Sequence, residues 1–151
     1  FKLIVRVPGI GDMAEIMART TGDALPPITP RFDAGDVRAM LGLIRQVKIA
    51  DETTRLALRL VRATHPEAEE APAVVRKYVR YGASPRAAQA MILAAKTLGL
   101  LAGRYHASAE DIRRVAAPAL IHRIILNFHA EMERVSSEAV VDQVLADVLD
   151  R

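Results

Sequence analysis

Cysteine is absent, which removes disulfides, zinc fingers, thiol nucleophiles and iron–sulfur clusters together and fits a reducing, cytoplasmic setting. Tryptophan is absent as well, and aromatic residues make up only 4% of the chain. A β-sandwich needs more of the residues that strands favour; Ala, Leu, Ile, Val and Arg dominate instead, a balance that favours helices. There is no long hydrophobic run. The most apolar stretch, Ala87 to Ala102, is broken by Gln89, Lys96 and Thr97 and falls short of the roughly 20 apolar residues of a membrane span. No signal peptide is visible. The first residue is Phe1 rather than Met, which points to a piece of something longer. What remains is a 151-residue chain, 51% hydrophobic and 26% charged, with the composition of one folded domain.

Acidic residues are missing from one long block. Between Ala71 and Ser108 there are six bases, Arg76, Lys77, Arg80, Arg86, Lys96 and Arg104, and no acid. Residues 1–70 balance ten bases against ten acids, and residues 110–151 carry five bases against eight acids, so the middle supplies the net charge of +3. An acid-free block of this length points to an anionic partner.

Residues 1–7 alternate, with Phe1, Leu3, Val5 and Val7 on one face and Lys2, Ile4 and Arg6 on the other. That pattern predicts one N-terminal strand, closed by a turn at Pro8-Gly9 and paired with a sheet outside this chain. Residues 10–32 read as a short helix starting at Asp12 and stopping near Gly22, followed by a stiff connector through Pro26, Pro27 and Pro30. From residue 33 to 151 the pattern is helical throughout. Asp33 and Asp51 cap two amphipathic helices, Thr64 to Pro72 is a solvated loop, and Val74 to Tyr81 is a short amphipathic segment. Ser84-Pro85 opens the most apolar helix, ending near Gly99 or Gly103; Ser108 with Asp111 opens another, Pro118 restarts one carrying Ile121, Ile124, Ile125 and Leu126, and Ser136 caps the last. The expected fold is an all-α helical bundle with one orphan strand.

Arg86 stands at the second helical position after the Ser84 cap and Pro85. A cation there opposes the positive pole of the helix macrodipole at a cost of roughly 0.3–1 kcal/mol, so a local acid or a bound anion is needed to offset it. No acid follows within twenty residues. Free N–H groups at a helix start, a guanidinium fork and Gly82, which permits close backbone approach, together suit a phosphate. The alternative is a solvated Arg whose stem packs on Tyr81 or Tyr78.

The decapeptide Tyr78-Val79-Arg80-Tyr81-Gly82-Ala83-Ser84-Pro85-Arg86-Ala87 resembles the YVRYGASPRA segment of the MoxR family of AAA+ ATPases. The resemblance continues through Gly103-Arg104-Tyr105, through His122-Arg123-Ile124-Ile125-Leu126-Asn127-Phe128, and back to Phe1-Lys2-Leu3, which is similar to the strand after that family's DRF motif. It implies that residues 1–9 are the last strand of a nucleotide-binding core and residues 33–151 the helical lid. It implies further that Arg86 is the sensor-2 arginine, reaching the γ-phosphate of ATP and coupling nucleotide state to lid angle, with Gly82, Ser84 and Pro85 beside it at the nucleotide. Arg80 and Arg76 become weaker candidates for phosphate or neighbouring-subunit contacts. For a full-length parent it implies ATP with Mg, a ring oligomer, usually a hexamer, von Willebrand A-domain partners, and chaperone-like maturation of client enzymes. Ile121 stands where the family usually has Arg, and His129 where it usually has Glu.

The rest of an ATPase is not in these residues. No Gly-Lys dipeptide exists, hence no P-loop, and the chain alone is expected to be inactive. Ile49-Ala50-Asp51-Glu52 reads better as a helix start than as a Walker B end, and Gly9-Ile10-Gly11 as a plain turn. His122, His129 and Glu133 would share a face only on one continuous helix, with a spacing too long for a metal. The five methionines, Met13, Met17, Met40, Met91 and Met132, read as core filling. The alternative function is a small basic helical nucleic-acid-binding module, in which Arg76, Lys77, Arg80 and Arg86 meet phosphates and Tyr78 or Tyr81 stacks on bases.

Overall fold

A computed structural model describes residues 1–3, 5–23 and 28–149. Along the chain the elements are α1 (Ile10–Thr20), α2 (Ala34–Gln46), β1 (Lys48–Ile49), α3 (Asp51–Ala63), α4 (Ala73–Tyr78), β2 (Val79–Tyr81), α5 (Pro85–Leu101), β3 (His106–Ala107), α6 (Ala109–Leu120), β4 (Ile125–Leu126), α7 (Phe128–Met132) and α8 (Ser137–Leu149). The expected all-α class is what forms. The strands are two short ladders that clip the helices together, β1 parallel to β3 and β2 antiparallel to β4.

The core lies where α3, α5, α6 and α8 meet. On α3 the residues Leu56, Ala57, Leu60 and Val61 fall on one helical stripe and are buried. Helix α5 buries a stripe of small residues around one large one, Ala87, Ala88, Met91, Ala95 and Gly99. Small side chains let α6 approach closely with Ile112, Val115, Ala116 and Ala119. Leu60, Met91, Ile112 and Leu120 are fully enclosed, and each such side chain contributes roughly 1.5–3 kcal/mol by leaving water.

Termination of α5 follows from Gly103, whose φ of 71° is left-handed. Its N–H donates to the Leu100 carbonyl at 2.9 Å and the Arg104 N–H to the Gly99 carbonyl at 2.8 Å, the paired bonds of a Schellman end. Arg104 is thereby turned onto Asp111, with bonds of 2.9 and 2.8 Å from its two terminal nitrogens. Asp111 also closes the Ser108 capping box, as the sequence predicts, and Asp33 with Asp36 does the same at α2.

Several expectations are corrected. Among the described residues, 1–3 and 5–7 pair with no strand of this chain, and the Lys2 N–H donates to the Pro118 carbonyl at 3.3 Å; the pairing expected for this segment is with a sheet outside the chain. Ile4, Pro26 and Pro27 lie outside the described residues. Helix α1 starts earlier than expected, at Ile10, with Gly9 as its cap. Asp51 is the first residue of α3 rather than its cap, a position held by Ala50 without a side-chain bond. Pro118 does not restart a helix but sits in the last turn of α6, where buried Val115, Ala116, Ala119 and Leu120 hold the turn on both sides. Beyond it, residues 121–123 turn and 125–126 form β4, so Ile121 to Leu126 is not helical. Of the methionines only Met91 is core; Met13, Met17 and Met40 are exposed, since α1 and α2 bury no residue, and Met132 is exposed at the end of α7.

Candidate functional site at the start of α5

Ala87, Ala88 and Met91 are pinned in the core, so the preceding turn of α5 is held with Ser84, Pro85 and Arg86 facing out. Ser84 takes the extended backbone of an N-cap, φ −71° and ψ 165°, but its hydroxyl makes no capping bond. Its carbonyl accepts the Ala87 N–H at 2.8 Å. Pro85 has no N–H to lose, and its fixed φ suits the first helical position. The start of α5 therefore keeps the Arg86 N–H and a free hydroxyl beside an exposed guanidinium.

The six bases of the acid-free block separate sharply by what they touch. Arg76 donates to the carbonyls of Ala71, Ala68 and Glu69 at 3.2, 3.0 and 3.0 Å, tying down the loop before α4. Lys77 lies 3.1 Å from Glu133, and Lys96 reaches the Arg45 carbonyl at 3.4 Å. Arg104 is bound to Asp111, and Arg80 lies over the Tyr81 ring at 5.2 Å. Among the described residues Arg86 alone of the six has no hydrogen bond, ion pair or cation–ring contact.

Gly82 is half-buried, and the side on which a side chain would stand is filled by protein. A Cβ built there would stand 2.7 Å from the His65 ring and 2.8 Å from the Thr64 carbonyl oxygen. Next to it, Ala83 is fully buried and held at both ends of its peptide functionality. Its N–H donates to Thr64 Oγ1 at 2.9 Å, and its carbonyl lies 2.9 Å from His65 Nε2. A carbonyl only accepts, so Nε2 carries the proton. Thr64 Oγ1 in turn donates to the Val61 carbonyl at 2.6 Å, so the hydroxyl both accepts and donates. The sequence reading placed Thr64 and His65 in a solvated loop and missed them; their contacts span eighteen and nineteen residues, and no local pattern signals such a pairing.

On the other side of this loop, β2 pairs with β4, and Asn127 donates its backbone N–H to the Tyr78 carbonyl and its amide to the Lys77 carbonyl, both at 2.8 Å. The Tyr78 hydroxyl donates to Glu133 at 2.7 Å. That bond and the Lys77 ammonium hold the Glu133 carboxyl below its ordinary range, and the same cluster raises Lys77. Tyr78 is thus committed to α7 and its flank.

Among the described residues no three His, Asp or Glu side chains converge, and a turn and β4 separate His122 from His129, which therefore do not share a helix face. Burial lowers the pKa of His122 below its ordinary value. Among the described residues no helix is long and apolar enough to cross a membrane.

Residues 71–144 match the family described as the AAA lid domain. The chain is 29% identical over 148 residues to the protein named Chaperone MoxR1 of Mycobacterium tuberculosis, an alignment covering 98% of this chain and 39% of that protein. It is 24% identical over 151 residues to the Bacillus subtilis protein YeaC, covering 98% of this chain and 44% of that one. A solved structure of a candidate ATPase from Cytophaga hutchinsonii superposes with a TM-score of 0.85 at 29% identity, over 95% of this chain and 44% of the other. The chain therefore spans about two fifths of the length of the curated relatives it matches.

Proposed function

We propose that this chain carries the helical lid of a MoxR-type AAA+ ATPase, and that Arg86 is the lid's phosphate-sensing residue. The observation that carries this reading is the isolation of Arg86. It is the only base of the acid-free block left without a protein partner among the described residues, and it stands at the helix end where a cation is least comfortable. A phosphate placed there would offset that cost, accepting from the guanidinium fork and from the Arg86 backbone N–H. These residues fit a nucleoside triphosphate as a lid would, by contributing one cationic arm and a helix start rather than a cradle.

ATP with Mg would supply the transferable phosphoryl group to a full-length protein, and Arg86 would stabilise charge developing on it. Ser84 and Pro85 would shape the rim of that contact, while Gly82 supports it from behind. Because Arg86 sits on the lid, gain or loss of the γ-phosphate would change the contacts holding lid to core, and so pass nucleotide state into lid position. A ring assembly working on client proteins is the larger setting that fits this chemistry, in keeping with the relative named as a chaperone. Of the nucleic-acid footprint, Arg76, Lys77 and Tyr78 are engaged within the fold, while Arg80, Tyr81 and Arg86 stay exposed.

Arg86→Ala in the full-length ATPase is expected to lower turnover by about a hundredfold. The thermal midpoint should move little, because an exposed side chain without partners is usually worth under about 0.5 kcal/mol. Steady-state ATP hydrolysis beside a calorimetric scan checks both, and unchanged turnover would remove the role.

A further inference from the structure

The side chain of Arg86 is located by nothing it touches, so its place depends on how the first turn of α5 is held. Downstream, Ala87, Ala88 and Met91 are fixed in the core. Upstream, the Ala83 peptide is gripped by Thr64 Oγ1 and His65 Nε2, each at 2.9 Å, with the His65 ring seated against Gly82. We infer that His65, with Thr64, is a positioning residue for Arg86: it locks the 82–84 loop and so aims the phosphate-sensing arginine from the end of α3. The inference rests on the phosphate-sensing reading of Arg86.

The arrangement has features that plain loop packing does not need. Both polar atoms of the Ala83 peptide functionality are taken by adjacent residues of one helix end, which fixes the loop in translation and in twist together. The imidazole is a rigid plane whose Nε2 lies at the Ala83 carbonyl and whose carbon edge lies against Gly82. Gly82 provides the only side-chain size that admits this plane, since any Cβ would meet it at 2.7 Å. A small displacement at the pivot is carried to the guanidinium at the far end of a long side chain. Misplacing a charge-stabilising group by about 1 Å costs on the order of a hundredfold in rate.

The test uses the full-length ATPase with His65→Leu, His65→Gln, Gly82→Ala, Arg86→Ala and the His65→Leu/Arg86→Ala double variant. Amide hydrogen exchange of the segment 79–87 is followed without nucleotide, and kcat and KM for MgATP are measured beside it. His65→Leu and Gly82→Ala are expected to speed exchange in that segment about tenfold or more and to lower kcat about tenfold. His65→Gln, whose amide can donate to the Ala83 carbonyl, should restore both toward wild type. The double variant should turn over no more slowly than Arg86→Ala alone, because a misaimed arginine and a missing one fail at the same step. If Arg86→Ala slows turnover but His65→Leu and Gly82→Ala loosen the segment without changing kcat, the positioning role is overturned and the arginine's own role stands. If the double variant is slower than Arg86→Ala by the full factor of His65→Leu, His65 acts independently of Arg86, and the inference is overturned. If Arg86→Ala itself leaves turnover unchanged, the underlying reading falls and this one with it.

Discussion

At the scale of single residues, charge in this chain is spent on two kinds of work. Arg104 and Asp111 do structural work: the carboxylate is almost fully buried, accepts both guanidinium nitrogens, and also accepts the Ser108 N–H and hydroxyl at 2.8 Å each. The bond from Arg104, before the others, holds the Asp111 carboxyl down at about 2. In the unfolded chain it titrates near 3.8, so folding is favoured wherever Asp111 is ionised. That contribution, roughly 2 kcal/mol, is complete above pH ~4 and is lost as pH falls through about 2. Asp111→Asn is expected to destabilise the protein at pH 7 by about 2 kcal/mol and to flatten stability between pH 4 and 2, as urea titrations across that range would read. A wild-type stability that stays constant down to pH 2 would contradict it. Arg86 does the other kind of work, and its oddity was legible from position alone: Ser-Pro-Arg puts a cation at a helix start with no acid nearby. The partners of the remaining bases were not legible, because Glu133 lies 56 residues from Lys77 and the carbonyls that hold Arg76 carry no residue identity.

At the scale of elements, what could be read was what is local. Capping boxes at Asp33 and Ser108, the Ser-Pro start of α5 and the Gly103 stop depend on residues within three or four of each other, and they form as the sequence predicts, apart from the Ser84 hydroxyl. The ladders could not be read, because strands of two or three residues leave no alternation and take their pairing from helices packed elsewhere. Gly99 shows how close that packing is. A Cβ there would stand 2.5 Å from the His106 carbonyl oxygen, so α5 runs directly against β3. Gly99→Ala would ordinarily gain up to about 1 kcal/mol of helix propensity. Here the backbone of β3 must move instead, and the expected net result is destabilisation of about 1–3 kcal/mol, with the parallel β1–β3 ladder weakened first. Urea unfolding of the variant measures the sign, and a gain in stability would show that β3 yields freely.

At the scale of the whole molecule, the chain divides into a body that buries its apolar residues and a leading part that does not. From Val47 onward, Leu60, Met91, Ile112, Leu120 and Val144 close a shared core. Before it, Leu3, Val5, Val7, Ile10, Met17, Leu41 and Leu43 stay exposed although α1 and α2 are amphipathic. Sequence patterning reports that a face is apolar and not what covers it, which is why α1 and α2 read as bundle helices and Met13, Met17 and Met40 as core. A helix of eleven or thirteen residues with no buried side chain is marginal in water. In the 151-residue chain, amide exchange in α1 and α2 is therefore expected to run at least about a hundredfold faster than in α5 and α6, because their opening costs little while the core must open globally. The relatives that the chain matches are more than twice its length. In a full-length protein the same amides should slow toward those of α5, since burying an exposed Leu or Met side chain contributes roughly 1.5–3 kcal/mol and several such residues line each face. Equal exchange of α1 in the two settings would mean that its apolar face stays open in the longer protein too, and would turn attention from the fold to a separate partner.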